Sequence, residues 1–264
     1  MPTFKVTLAY DGTDFVGWQR QATGTSVQGL LEDALRALDD RDVTVHGAGR
    51  TDAGVHALGQ IASFSLARAI SADVVQRSLN AHLPLTVRVL SVEDTPDDFH
   101  ARFNSRGKTY RYRLWNADVL DPFERRYAWH VYGALDVPAM QAAAALLEGT
   151  HDFAAFQGQK SAIKSTVRTV ATSTLRIEDC GMRIGERGGL QSALRNPQSA
   201  LLTYEITGSG FLRHMVRTIV GTLVEIGRGR RPVDWIGDVL ASRDRAAAGQ
   251  TAPAEGLFLV AVHY

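Results

Sequence analysis

The spacing of apolar residues predicts strands and helices in both halves of the chain. Residues 3–10 form an apolar run typical of a strand, and Asp11, Gly12 and Thr13 form the turn that ends it. Ser26 is a candidate N-cap, because apolar residues recur after it at helical spacing over three turns, which predicts a helix at 27–38. The same criteria predict helices at 71–83, 136–147, 211–226 and 233–241, and strands at 43–46, 61–66, 87–92, 108–115, 167–177, 201–206 and 257–262.

Strands and helices mixed in both halves indicate an α+β fold. A loose boundary near residues 104–107 predicts an N-terminal domain at 1–105 and a C-terminal domain at 106–264. Residues 181–199, rich in Gly, Arg and Ser, are predicted to form an exposed hairpin extension.

Composition narrows the class of protein. With 45% hydrophobic and 22% charged residues in 264, the chain has the balance of a soluble globular protein. No apolar run reaches the roughly 18 residues of a membrane helix, and the N-terminus enters a strand without a signal-peptide pattern, so we expect a cytoplasmic protein. The single Cys180 excludes an internal disulfide, and Glu148 and His151 have no second such pair, so no metal site is expected.

Positive charge is concentrated locally although the formal net charge is only +1. Residues 101–126 hold seven basic and three acidic residues, a net of +4. Residues 213–231 hold five arginines and one glutamate, again +4. Such patches attract polyanions, and they are equally typical of solvated strand and helix faces. Composition alone does not choose between these two interpretations.

The glycine-rich segment 47–57 is the densest candidate for chemistry. Three glycines in eight residues permit a tight loop that presents a side chain to a ligand. Asp52 stands where a dinucleotide fingerprint needs glycine, and no Gly-Lys-Ser/Thr follows, so both nucleotide-loop templates fail. Asp52 is therefore either a working carboxylate or an ordinary turn residue, and His56 is either functional or a buried core histidine.

Six motifs, in order, resemble the bacterial tRNA pseudouridine synthase A family. The central one reads Gly-Arg-Thr-Asp-x-Gly-Val-His-Ala at 49–57. The others are Tyr-Asp-Gly-Thr at 10–13 with Phe15 and Gly-Trp-Gln at 17–19, Phe-His-Ala-Arg-Phe at 99–103, Lys-x-Tyr-Arg-Tyr at 108–112, Phe-Leu-x-His-Met-Val-Arg at 211–217 and Ala-Glu-Gly-Leu at 254–257. The likeness covers nearly the whole chain; residues 181–199 look longer than usual for the family.

The resemblance implies a pseudouridine synthase fold, with two similar mixed domains that share an extended antiparallel sheet and a central cleft. It implies an enzyme that isomerises uridine to pseudouridine at positions 38–40 of the tRNA anticodon stem-loop. No cofactor and no metal are expected. The partners that it implies are tRNA and a second copy of the chain in a homodimer.

The resemblance also assigns roles to individual residues. Asp52 matches the catalytic aspartate, as nucleophile or base, and Arg217 the cation that pairs with it. Tyr110 matches the tyrosine that packs on the base and serves proton transfer. The remaining candidates for tRNA contact are Arg50, His56, Arg102, Lys108 and Arg111.

The pattern by itself leaves other interpretations open. Strand alternation makes Tyr110 a core residue and separates Lys108 from Arg111, and Arg217 could be an ordinary surface arginine. A non-catalytic tRNA-binding or remodelling protein on the same scaffold would carry the same motifs. An enzyme acting on a nucleotide phosphate is a third possibility, against which the failed loop templates count.

Overall fold

The computed structural model describes residues 1–158, 165–178 and 200–264 and divides the chain into two compact units. Unit 1 comprises Met1–Thr109 and Phe258–Tyr264, and unit 2 comprises Tyr110–Leu257. The domain boundary expected from the sequence lies at 105/106, a few residues earlier, and leaves the C-terminal strand in the second domain. That strand belongs to unit 1 because it pairs with a strand there. The predicted extension at 181–199 falls outside the described residues.

Helices and strands alternate through the described residues. In chain order they are β1 (Thr3–Tyr10), α1 (Val27–Asp39), β2 (His46–Gly47), β3 (His56–Ser65), α2 (Ala72–His82), β4 (Val87–Thr95), β5 (Gly107–Asn116), β6 (Trp129–Val131), α3 (Val137–Ala145), β7 (Gly149–Asp152), β8 (Val167–Glu178), β9 (Ala200–Gly208), α4 (Met215–Gly227), α5 (Trp235–Ser242) and β10 (Leu257–His263). Both units contain helices and strands, so the predicted α+β class is confirmed. None of the helices in these ranges is long and apolar enough to cross a membrane.

Unit 1 is built on a sheet in the order β4-β1-β3-β10, with β2 paired to β3. β1 runs antiparallel to both neighbours, so that Thr3 lies opposite Ser65 of β3 and Thr95 of β4. On β1 the side chains of Phe4, Val6 and Leu8 are fully buried, as the period of two predicts. The predicted cap of α1 is confirmed: Ser26 Oγ accepts the backbone N–H of Gly29 at 3.2 Å.

Unit 2 has the strand order β5-β9-β8-β7, with β6 paired to β5. α3 packs against α4 and β8. α4 is buried on nearly every side, including Thr218 and Thr222, where the sequence predicts a single apolar stripe. The threonine hydroxyls are accommodated because Thr222 Oγ1 donates to the carbonyl of Thr218 at 2.8 Å and accepts the N–H of Gly249 at 3.0 Å.

Several local predictions differ from the structure: the strand expected at 43–46 is only His46–Gly47, and the strand expected at 61–66 begins at His56. α4 begins at Met215 and not at 211, because His214 has a φ of 62° and interrupts the helical backbone. The short strands β6 and β7 lack a clear period and were not predicted. The sheet pairing is also not wholly antiparallel, since β3 with β10 and β5 with β6 are parallel pairs.

Candidate active site

The loop that carries Asp52 lies between β2 and β3 and is braced by the segment that follows β1. The backbone N–H of Trp18 donates to the carbonyl of Thr51 at 3.0 Å, and the Tyr10 hydroxyl and Thr51 Oγ1 are 2.8 Å apart. On the other side of Asp52, Gly54 N–H donates to the Phe15 carbonyl at 3.4 Å. The family motifs at 10–19 and 49–57, which are far apart in sequence, thus form one substructure.

Tyr10 supplies a neutral hydroxyl to this substructure. Burial raises the pKa of Tyr10 to about 12, and the hydrogen bond with Thr51 opposes that rise. At neutral pH the phenol is therefore protonated, and its hydroxyl is hydrogen-bonded to Thr51 Oγ1. Thr51 is held through both its side chain and its carbonyl, which fixes the backbone immediately before Asp52.

The Asp52 turn is closed by main-chain atoms. Val55 N–H donates to the carbonyl of Asp52 at 3.2 Å, and Gly54 has a φ of 78°, in the left-handed region that favours glycine. A bond to the main-chain carbonyl is one that any residue could make at this position. Asp52 is half-buried. The structure therefore leaves the interpretation of Asp52 as a working carboxylate intact.

Glycines allow the two segments to touch backbone to backbone. A Cβ at Gly12 would lie 2.0 Å from the carbonyl oxygen of Val55. Gly17 has a φ of 110°, and its Cβ would lie 2.6 Å from the Thr51 carbonyl oxygen. Neither position has room for a side chain, and this explains why glycine follows Tyr10-Asp11 and precedes Trp18 in the motif.

His56 lies in the core of unit 1, with 1% of its surface exposed. Its Nδ1 accepts the N–H of Gly12 at 3.0 Å and lies 3.2 Å from Oδ1 of Asp11, and the ring stacks on Phe258 at 4.6 Å between centroids. These contacts hold the turn after β1 against the start of β3. The predicted contact between His56 and substrate stays a prediction.

Three of the predicted tRNA-binding cations belong to unit 1. Arg50 and Arg102 are exposed. Lys108 is half-buried, and its Cε would lie 3.0 Å from a Cβ at Gly49, so its aliphatic chain crosses the glycine loop. Burial lowers the pKa of Lys108, and the positive charge of Arg102 lowers it further.

In unit 2, Tyr110 packs edge-on against Phe211. Their ring centroids are 5.1 Å apart with an interplanar angle of 80°, and Tyr110 is 8% exposed. Phe211 was not assigned a role from the sequence, although it opens the motif at 211–217. The half-buried Phe211 ring limits the space beside the Tyr110 ring.

Arg217, also in unit 2, is fixed by the backbone of Ala252. Its Nε donates to the Ala252 carbonyl at 2.7 Å, and the Ala252 N–H donates to the Arg217 carbonyl at 3.1 Å. Its charge also acts on Tyr112: burial and then Glu255 raise the pKa of that phenol, and Arg217 opposes the rise. The motif at 211–217 is therefore tied through Arg217 to Ala252, two residues before the motif at 254–257.

Comparison with known proteins gives these motifs a family. The chain matches the family described as tRNA pseudouridine synthase over residues 7–104 and 143–264. The chain belongs to the tRNA pseudouridine synthase family. The resemblance stated from the six motifs is confirmed, and with it the expectation of an enzyme of this class and of the pseudouridine synthase fold.

Individual members of the family align with the chain from end to end. It is 42% identical over 264 residues to the tRNA pseudouridine synthase A of Myxococcus xanthus, covering 100% of this chain and 92% of that protein. It is 46% identical over 264 residues to the protein of that name from Chloroflexus aurantiacus, covering 100% and 89%. For Rhodospirillum centenum the identity is 44% over 265 residues, covering 100% of both chains.

Arg111, the last of the predicted tRNA contacts, is engaged within this synthase. Its Nε and Nη2 donate to one carboxylate oxygen of Glu205 at 3.1 and 3.0 Å, and both side chains are partly exposed. This pair could not be predicted from the sequence, because β5 and β9 are far apart along the chain. A phosphate contact by Arg111, which stays a prediction, would compete with Glu205. Over the described ranges, no group of His, Cys, Asp and Glu side chains could hold a metal ion.

We expect Arg217→Met to lower the free energy of unfolding by about 1–3 kcal/mol, because the buried Ala252 carbonyl loses its donor. Urea unfolding measures this loss. Arg213→Met, at an exposed position just before α4, is the matched control and should unfold like the unaltered synthase. If Arg217→Met were equally stable and fully active, the assigned role of Arg217 would be wrong.

Proposed function

We propose that this synthase isomerises uridine to pseudouridine at positions 38–40 of the tRNA anticodon stem-loop, with Asp52 as the catalytic carboxylate and without a cofactor. The observation that carries the proposal is the brace around Asp52. Two motifs of the family converge on Thr51 and Gly54 through backbone and buried hydroxyl contacts, and they position the half-buried Asp52 between them. The family resemblance supplies the tRNA positions.

The reaction exchanges one bond of uridine for another. The bond from ribose C1′ to uracil N1 breaks, a bond from C1′ to C5 forms, the C5 proton leaves, and N1 gains a proton. Atoms and electrons balance within the substrate, so no oxidant and no group donor is needed. A carboxylate can promote the first step as nucleophile or as base.

The other residues complete this proposal. Arg217 supplies a permanent positive charge to stabilise the Asp52 carboxylate, and Tyr110 packs on the freed uracil and transfers a proton. Extrusion of the target base costs a few kcal/mol, and we propose that Arg50 helps to offset it. His56, Arg102, Lys108 and Arg111 are the remaining proposed tRNA contacts. We further propose that the synthase acts as a homodimer in the cytoplasm.

The direct test is to incubate the purified protein with unmodified tRNA, without added cofactor, and to map pseudouridine chemically. We expect new pseudouridine at one or more of positions 38–40. Product elsewhere in the tRNA would contradict the proposed site of action. Tight tRNA binding with no product would favour the alternative of a non-catalytic tRNA-binding or remodelling protein.

Tyr110→Phe separates the ring of this residue from its hydroxyl. The ring still packs edge-on against Phe211, so the variant should fold normally. Turnover should fall by about 10²–10⁴-fold if the hydroxyl transfers a proton. Single-turnover assays at saturating tRNA measure this rate, and Tyr132→Phe, at an exposed tyrosine, is the control. Unchanged turnover would remove the proton-transfer role and leave only packing.

A further inference from the structure

In unit 1, the turn between β4 and β5 holds a phenylalanine in solvent. Phe103 is 77% exposed, and the neighbouring Arg102 is exposed as well. The N–H groups of Phe103 and Asn104 both donate to the His100 carbonyl at 3.1 Å, and the His100 N–H donates to Asn104 Oδ1 at 2.7 Å. The exposure of Phe103 is therefore determined by a hydrogen-bonded backbone.

Ala101 anchors the same turn in the core. Its side chain is fully buried, its N–H donates to Ser63 Oγ at 3.0 Å, and its carbonyl accepts the Tyr264 hydroxyl at 2.7 Å. Because Ala101 is fixed from both sides, Phe103 cannot turn inward unless these bonds break. The Phe103 ring is therefore accessible to a ligand.

Phe103 is one end of an aromatic column formed by His46, His100 and Phe103, and His46, at the other end, is exposed as well. The ring centroids of His46 and His100 are 4.7 Å apart, and those of His100 and Phe103 are 4.3 Å apart, with interplanar angles of 31° and 33°. The Arg102 N–H donates to His100 Nδ1 at 3.1 Å, which fixes the orientation of the middle ring. Burial lowers the pKa of His100, and the charges of His46 and Arg102 lower it further, which agrees with an accepting Nδ1.

The charges near the column favour an anionic ligand at one place. The Arg102 guanidinium lies 6.0 Å from the centroid of the Phe103 ring. The cavity of about 490 Å³ lined by His46 and His100 has three carboxylates, of Asp42, Asp97 and Asp98, and one arginine, Arg41, which pairs with Asp39. These carboxylates would repel a phosphate, so an anionic chain is expected at the Arg102 end of the column.

We propose that the aromatic column is a stacking site for an unpaired nucleobase of the tRNA, with the base on Phe103 and the adjacent phosphate on Arg102. The proposal rests on the proposed function for the identity of the RNA. It is supported by the ring-and-arginine pairing, because bases stack on aromatic side chains while cations hold the backbone. Phe103 is the one large apolar side chain exposed within residues 91–118, all of which the structure describes, and a lone ring is too small for protein docking.

The column is also close in sequence to the catalytic loop. His46 opens β2, and β2 leads directly into the glycine-rich segment that carries Asp52. A base held on this column would therefore fix the RNA relative to the strand that supports Asp52. The expected consequence is an effect on tRNA binding, with little effect on the chemical step once tRNA is bound.

The test compares Phe103→Ala, Phe103→Leu and Phe103→Trp by fluorescence anisotropy with labelled, unmodified tRNA. Loss of one stacked base predicts that Phe103→Ala and Phe103→Leu weaken binding by about 5- to 150-fold, whereas Phe103→Trp binds at least as well as the unaltered protein. Thermal unfolding should be unchanged, because the side chain is exposed. The single-turnover rate at saturating tRNA should also be unchanged.

Phe123→Ala removes another exposed phenylalanine and is the matched control. Equal loss of binding in this control would overturn a specific role for Phe103. Binding by Phe103→Leu that equals binding by Phe103→Trp would overturn stacking, since leucine is apolar but lacks a π face. Unchanged binding by all three variants would overturn the proposal. These outcomes are measured as tRNA binding, so they can be distinguished from a failure to form pseudouridine.

Discussion

Asp52→Asn is expected to abolish pseudouridine formation while leaving tRNA binding nearly unchanged. The amide keeps the size of the side chain, and the Asp52 turn is closed by its main-chain carbonyl, so the loop should persist. Loss of a general base costs about 10²–10⁴-fold in rate, and loss of a nucleophile can approach 10⁶-fold. The rate constant should be measured under single-turnover conditions with excess enzyme, and binding should be measured separately by anisotropy.

The size of that loss also distinguishes two mechanisms. A residual rate within about 10⁴-fold of the original favours Asp52 as a base, and a larger loss favours a nucleophile. Asp94→Asn, an exposed aspartate on β4 of the same unit, is the control and should retain full activity. Retained activity in Asp52→Asn would refute the catalytic assignment, and equal losses of product and binding would make Asp52 a structural residue.

The fold of unit 1 follows from local sequence rules to an unusual degree. β1 occupies the predicted residues 3–10, and α1 begins after the predicted Ser26 cap. Both elements have a strong hydrophobic period and an unambiguous terminating residue, so local and tertiary preferences agree. α4 shows the opposite case: residues 211–214 continue its apolar pattern, but the left-handed backbone at His214 delays the helix to Met215. A periodicity cannot show that interruption.

The residues of the candidate site could be predicted from the sequence, but the contacts that hold them in place could not. Motif likeness identified Asp52, Tyr110 and Arg217. It gave no indication that Tyr10 bonds to Thr51 or that Arg217 is fixed by Ala252, because these contacts join residues distant in sequence. Arg111 illustrates the same limit, since its pairing with Glu205 depends on strand register. Motifs can identify the site residues because each motif is local in sequence, whereas the contacts that hold those residues in place join distant parts of the chain.

Gly12→Ala is expected to impair both stability and catalysis, although it adds one methyl group far from Asp52 in sequence. The new Cβ would lie 2.0 Å from the Val55 carbonyl oxygen and must retreat to at least 3.0 Å, a shift of about 1 Å between two backbones. Overpacking of this kind costs about 1–3 kcal/mol. Strain on the Gly12 N–H bond to His56 adds about 1 kcal/mol. The free energy of unfolding, measured in urea, should fall by about 2–4 kcal/mol.

The same shift should also lower the turnover rate of the Gly12→Ala molecules that remain folded. Val55 closes the turn on the Asp52 carbonyl, so a displacement of Val55 moves the carboxylate, and a 1 Å misplacement can cost about 10²-fold in rate. Gly237→Ala is the matched control: no atom lies within 4 Å of its Cβ, and alanine in α5 should stabilise the protein by about 0.5–1 kcal/mol. If Gly12→Ala kept its stability but turned over more slowly, the Val55 contact would affect only the position of the Asp52 carboxylate. If it matched the unaltered synthase in both measurements, the brace would have no part in holding Asp52, and rigid support of the carboxylate by the β1 turn would have to be abandoned.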